Sequence, residues 1–317
     1  MLPILFRIIA VSLGGVIIKE LLSSNEKKYN DMSNCHNHFL GLEKDFSLTP
    51  TKKTKLIDSR KALEKRIRDY FAWNHNFLMP KFYIQGSYKM KTMVRDRNGE
   101  YDVDLGIYFL ERPSILPYTL QSYVWNAVNG HTDTPPEHRN KCVRVIYKGD
   151  FDIDLPVYYM TRYDRHPCLA TKNGWEQSDP KELCDWFKNQ RRYKGNGGQL
   201  LRVIKYFKIW TNARAGKMPS GIAFTIWVTN NFQSNQRDDI AFYETAKAIR
   251  NSIRWNVSSI NPATPYDDFT SKLDYVQKSN FKTALDNLIR EADKALYQPD
   301  LRTALNIWGR QFGVNFL

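Results

Sequence analysis

The chain has 317 residues, with 47 Lys/Arg against 33 Asp/Glu and a formal net charge of +14. Hydrophobic content of 42% with 14% aromatics excludes a disordered chain, and the length allows two lobes sharing one cleft. The charge favours polyanionic partners without separating nucleoside triphosphates from DNA or RNA. The four cysteines, Cys35, Cys142, Cys168 and Cys184, form no C-x-x-C pair or Cys/His cluster, so neither a zinc site nor a disulfide framework is indicated and a reducing cytoplasm is the easiest fit.

Residues 1–31 form an apolar N-terminal extension. Arg7 and Lys19 leave eleven uninterrupted residues, Ile8 to Ile18, where a membrane span needs about 20. A signal peptide fits poorly, because Lys19 and Glu20 follow the run directly. Three readings stay open: a membrane anchor, a packing or interfacial helix, and an upstream extension with Met32 as the working start; the last two are favoured. Apart from this segment no stable membrane partner is expected.

Thr49-Pro50 is an N-cap followed by a first-turn proline, and Leu56, Leu63, Ile67 and Tyr70 recur at helical spacing, so an amphipathic helix is expected over 51–73. Between Lys52 and Arg68 stand eight Lys/Arg against two acids. Either this is a solvated face, or it meets a nucleic acid activator or a regulatory protein.

Strands are expected at Lys81–Ile84, Tyr101–Phe109, Val143–Tyr147 and Phe151–Tyr159, with a helix from about Leu116 to Val128 between the middle two. In a strand, alternate side chains share a face, so Asp102 and Asp104 project together with Val103 turned into the core. Paired carboxylates repel unless a cation bridges them, and hard oxygen ligands suit Mg²⁺ or Mn²⁺. A two-ion site would activate an attacking hydroxyl and steady a leaving pyrophosphate. The third acid is Asp154, followed by the apolar Leu155-Pro156-Val157, with Asp152 as the same-face fallback. Upstream, Gln85 closes a strand, and Gly86-Ser87 brings backbone N–H groups and a hydroxyl to phosphate oxygens. A plain hairpin at Asn98-Gly99 would equally place alternating acids on an exposed strand. Arg144 is either a phosphate contact or a surface arginine.

From Gly174 onward the pattern turns helical. Asp179, Pro180 and Glu182 make a capping-box start. Lys188 to Lys217 hold nine Lys/Arg and no acid. In the helix Gln199–Asn212, Leu200, Val203, Ile204, Phe207 and Trp210 line one face, while Arg202, Lys205 and Lys208 fall on the other. That basic side is either solvated or lines the cleft as a triphosphate clamp, with Lys205 the preferred contact. Ser220 either caps the helix from Pro219 to Asn230 or reaches a phosphate. Further helices are expected over Thr270–Tyr297 and 299–310.

The combination of Gly86-Ser87, Asp102-Val103-Asp104 and Asp154-Leu155-Pro156-Val157-Tyr158 resembles the cGAS/DncV-like nucleotidyltransferases (CD-NTases) of the polymerase-β-like superfamily. The likeness continues through Gly174–Pro180, Asp185-Trp186-Phe187, Leu201–Trp210 and Pro219–Ala223, and covers roughly residues 33–317. Leu105 departs from the pattern, standing where DncV-type enzymes carry another acid, which leaves nucleotide preference open. The resemblance implies an α+β fold: a polymerase-β-like core of a small mixed sheet with helices over 32–172, and a helical nucleotide-binding domain over 173–317, around a central cleft. It implies Asp102, Asp104 and Asp154 as catalytic and metal-binding residues, holding two Mg²⁺ or Mn²⁺ ions. It further implies that Ser178 and Asp179 lie near a base or ribose, and that Asp267 or Asp268 meets a base. The implied activity is cyclic di- or trinucleotide synthesis from ATP, GTP or other triphosphates, as a second messenger in bacterial antiviral defence. The alternatives are a linear polymerising or tRNA-tailing nucleotidyltransferase, or a non-catalytic nucleotide- or RNA-binding module.

Overall fold

The computed structural model describes residues 33–75 and 78–316; the readings made for residues 1–31 and for Met32 lie outside the described residues. Helix α1 (His36–Phe46) leads to α2 (Pro50–Asn74), where Thr49 Oγ1 accepts from the Lys52 N–H and Pro50 fills the first turn. α2 buries Leu56, Leu63, Ile67 and Phe71 against the sheet. Its basic stripe is largely paired in place: Lys52 and Lys55 hold Asp150, Arg60 and Arg68 reach Glu64, and Lys65 meets Asp69. Charges satisfied this way make most of the stripe a solvated face.

Eight strands form one mixed sheet: β1 (Lys81–Gln85), β2 (Tyr101–Phe109), β3 (Glu137–His138), β4 (Val143–Tyr147), β5 (Phe151–Leu155), β6 (Val157–Tyr159), β7 (Cys168–Thr171) and β8 (Gly174–Gln177). β2 is the spine, antiparallel to β1 along one edge and parallel to β5 and then β6 along the other. The stretch expected as one strand, Phe151–Tyr159, is two, because Pro156 has no N–H to give the ladder. Its carbonyl still accepts from the Ile107 N–H at 2.9 Å, so the two halves stay in line on β2. Val103, Leu105 and Ile107 are turned into the core, which α2 and α4 (Pro117–Val128) cover through Leu63, Ile67, Leu120 and Val124. The helical region begins later than expected: Gly174–Gln177 pairs with β7, and Trp175 packs edge-on against Tyr159.

A second core belongs to helices: the short α3 (Gly86–Met90), then α5 (Pro180–Tyr193), α6 (Gly197–Asn212), α7 (Gly221–Asn231), α8 (Asp238–Ser252), α9 (Tyr275–Leu296) and α10 (Leu301–Phe312). Aromatic edges hold it together: Phe39 meets Tyr206 at 5.1 Å and Trp308 at 4.9 Å between centroids. α1, which the sequence division groups with the sheet, packs its Phe39 and Leu42 here. Helix α8 is absent from the sequence reading. Its first turn buries Asp238 and Asp239 completely; Asp238 accepts from Arg202, Gln199 and Tyr206, and Asp239 from Arg237 and the Cys35 N–H. α9 starts at Tyr275 rather than Thr270, because Asp274 and Gln277 form a reciprocal capping box there.

Candidate active site

Between the two cores lies a cleft of about 730 Å³, within the range of about 300–1,000 Å³ usual for small-molecule sites. Strand β2 delivers Asp102 and Asp104 to it, and β5 delivers Asp154. Parallel pairing sets their meeting: Asp104 stands opposite Asp154, and Asp102 opposite Asp152. Arg144, opposite Asp154 on β4, clasps this face. Its Nε and Nη2 each donate to an Asp154 oxygen at 2.7 Å, while Nη1 donates to Asp152 at 2.8 Å and lies 3.2 Å from Asp102. It is therefore neither a free phosphate contact nor a plain surface arginine.

Four carboxylates thus face one guanidinium. Burial pushes the Asp104 carboxyl up to about 6, and the charges of Asp154 and Asp102 push the same way. Asp102 is also raised, by desolvation first, with Arg144 opposing. An all-oxygen donor set that resists its own ionisation fits a hard divalent cation.

Gly86 is the tightest point. Its φ of +64° is left-handed, and a Cβ there would stand 1.9 Å from Asp104 Oδ2. Only glycine lets this backbone run against the carboxylate. Ser87 lines the cleft beside it. Gln85 also lines it but is spoken for: its Nε2 donates to the Tyr158 hydroxyl at 3.1 Å, and its Oε1 accepts from Tyr108 at 3.2 Å. The two tyrosine rings are stacked, 4.6 Å between centroids, so Gln85 props the turn from beneath.

On the helical wall the basic contact is Lys208, and Lys205 needs correcting. Successive basic positions three residues apart step back by roughly 60° around a helix. Arg202 therefore faces α8 and Asp238, Lys205 faces α1, where it pairs with Glu43 and donates to Ser47 Oγ at 3.1 Å, and Lys208 faces the cleft. Lys208 Nζ donates to the carbonyl and hydroxyl of Thr92, both at 3.0 Å. Burial lowers its pKa to about 7, against the pull of Asp104.

Ser178 and Ser220 line the same cleft, and Ser220 also caps α7 by accepting from the Ala223 N–H at 3.4 Å. Asp179 faces a different cavity. Its Oδ1 caps α5 at the Glu182 N–H, 2.8 Å, and its Oδ2 stands 3.3 Å from His166 Nδ1. Asp268 is likewise drawn off, accepting from the Ser259 and Thr270 N–H groups at 2.9 and 2.8 Å; Asp267 lines the cleft instead. Thr211, Asn212, Thr225 and Asn261 line it too. Single polar residues of this kind carry no spacing signal in the sequence.

Residues 80–158 hold the glycine turn and all three acids, and they match the family described as "Cyclic GMP-AMP synthase DncV-like, nucleotidyltransferase domain". The chain belongs to the DncV-like nucleotidyltransferases. A relative from Escherichia albertii, "Cyclic GMP-AMP synthase", is 30% identical over 229 residues, covering 67% of this chain and 48% of that protein. This DncV-like chain therefore spans about half the length of the curated relative it matches. The apo form of Vibrio cholerae DncV superposes with a TM-score of 0.78 at 19% identity, over 90% of this chain and 97% of that one. The same protein in complex with the linear intermediate 5′ pppA(3′,5′)pG gives 0.77 at 20%, with the same coverage. The DncV-like fold is thus the expected one: a small mixed sheet with helices, joined to a helical region across a cleft.

Proposed function

We propose that the chain is a metal-dependent nucleotidyltransferase that joins nucleoside triphosphates, ATP and GTP among them, into a cyclic di- or trinucleotide. The observation that carries this reading is the convergence of Asp102, Asp104 and Asp154 on one cleft with Gly86, Ser87 and Lys208. The three acids would hold two divalent ions, Mg²⁺ or Mn²⁺. Such ions supply a lowered pKa for an attacking ribose hydroxyl and neutralise charge on the leaving pyrophosphate.

The remaining work falls to the chain itself. Gly86 and Ser87 offer backbone N–H and hydroxyl donors to the triphosphate, and Lys208 sets a positive charge opposite. Arg144 fixes the Asp154 carboxylate by two parallel bonds, which limits its rotation before substrate arrives. Ser178, Ser220, Asn261 and Asp267 surround the rest of the nucleotide. No protein nucleophile is required, since positioning and charge stabilisation lower the barrier. Release of the product as a second messenger in bacterial antiviral defence, under control of a regulatory protein, completes the proposal.

The test incubates purified protein with all four NTPs and Mg²⁺ or Mn²⁺, and reads pyrophosphate release and product mass. The expected product resists phosphatase and disappears with Asp102→Ala or Asp104→Ala. A phosphatase-sensitive chain with a free 3′ end would make the enzyme a linear polymerase, and absence of pyrophosphate release would leave a binding module.

A further inference from the structure

A second concavity, of about 920 Å³, backs onto the nucleotide cleft. Met90 and Met93 line both. Its rim carries Lys53, Lys89, Lys91, Lys188, Arg191 and Lys205 against the single acid Asp185. Among the described residues only Lys205 of these six has a carboxylate partner, Glu43. This differs from the stripe on α2, where neighbouring acids take up most of the charge. The floor is apolar, with Leu48, Ile84, Phe187 and Leu201. Unpaired cations converging on a concave, low-dielectric wall concentrate positive potential and repel one another until an anion enters.

Three elements show one face to each cavity. In α3, Gly86 and Ser87 face the cleft, while Tyr88 and Lys89 face the groove. In α5, Pro180 and Leu183 face the cleft and Lys188 and Arg191 the groove; in α6, Lys208 and Thr211 face the cleft, Leu201 and Lys205 the groove. The link is shortest at Lys91, which is held at φ +62°, the one positive-φ non-glycine residue among those described. Left-handed backbone at a lysine costs roughly 1 kcal/mol or more and persists only where neighbours enforce it. The next residue, Thr92, holds the Lys208 ammonium.

We propose that this groove is an effector site for a small organic polyanion, a flat apolar body bearing two or more phosphates, and that its occupancy shifts the cleft through α3, α5 and α6. A dinucleotide has this chemistry; choosing it rests on the proposed function, whereas the groove's charge and shape do not. A converging rim over an apolar floor suits a compact ligand better than a nucleic acid backbone, which is met by charges set out along a track.

The test uses the full chain, without added divalent ion so that nothing turns over, and cyclic di-AMP as the probe. Calorimetry compares wild type with Lys188→Glu/Arg191→Glu and with the milder Lys188→Ala/Arg191→Ala, each checked for an unchanged melting temperature. The inference expects cyclic di-AMP to bind wild type and the charge reversal to weaken it by about tenfold or more, with ATP affinity unchanged. It also expects saturating cyclic di-AMP to change the KM for ATP once Mg²⁺ is restored. Absence of binding, or equal binding to wild type and both variants, overturns the inference. Variant-sensitive binding of a short single-stranded RNA in place of cyclic di-AMP overturns it as well, in favour of a nucleic acid surface. Binding of a premade compound is independent of synthesis, so a chain that makes no product can still pass, and an active synthase can fail.

Discussion

Gly86→Ala tests whether the glycine turn and the catalytic carboxylate are one mechanical unit. The added methyl would lie 1.9 Å from Asp104 Oδ2 and 2.9 Å from its Cγ, where Cβ contacts under 3.0 Å essentially never occur. The carboxylate must therefore retreat by about 1 Å, and a misplacement of that size costs about 100-fold in rate. The left-handed φ of +64° adds a separate, smaller burden, roughly 1 kcal/mol for alanine, or a fall of about 2–4 °C in melting temperature. The assay pairs pyrophosphate release from ATP and GTP with thermal unfolding. Activity should fall by about 100-fold in protein that still unfolds cooperatively within a few degrees of wild type. Activity within about tenfold of wild type would show that Asp104 does not depend on this contact, and the argument for the turn as cradle would lose its footing.

Lys208→Ala should raise the KM for triphosphate by about tenfold or more, and Lys205→Ala should leave it nearly unchanged, since charge-assisted contacts are worth roughly 1.5–3 kcal/mol; initial-rate kinetics that reverse this order would return the contact to Lys205. Asp104→Asn should abolish activity yet stabilise the divalent-free protein at pH 8. Its folded pKa of about 6 lies above the model value of 3.8, so the ionised form costs about 2–3 kcal/mol above pH 6, and the cost is relieved as pH falls toward 4. Thermal unfolding in EDTA should therefore show the gap closing between those limits, and a gap constant with pH would contradict the shift. Arg144→Met strips the guanidinium from half-buried carboxylates, costing about 1–3 kcal/mol in EDTA. Millimolar Mg²⁺ should restore part of that loss, and an unchanged melting temperature in EDTA would rule out the clasp.

What could be read beforehand followed from local periodicity. Asp102, Val103 and Asp104 alternate as a half-buried strand must, and Gly86-Ser87 stands at a strand end, so the acids and the turn were legible one residue at a time. The division of labour along α6 was not. Arg202, Lys205 and Lys208 look alike in sequence, and only the elements that approach from α8, α1 and the cleft tell them apart. α8 hid for a related reason: an Asp238-Asp239 pair reads as solvated, while its partners Arg202, Tyr206 and Cys35 lie far away in the chain. Asp179 and Asp268 were sound as polar turn residues, but their oxygens are consumed by backbone N–H groups and, for Asp179, by His166. Gly174–Gln177 has too few residues to reveal a period, and β7 decides its pairing.

The alignment of Asp104 with Asp154 depends on how β2 lies against β5 and on little of the chain between them. A reporter peptide grafted into the turn at 129–135, between α4 and β3, leaves that alignment untouched, because both strands are already anchored on their far sides. One extra residue between Asp102 and Asp104 would instead send every later β2 side chain to the opposite face. Diversification in this protein therefore has a broad permissive span set beside two stretches a few residues long that tolerate no change in length.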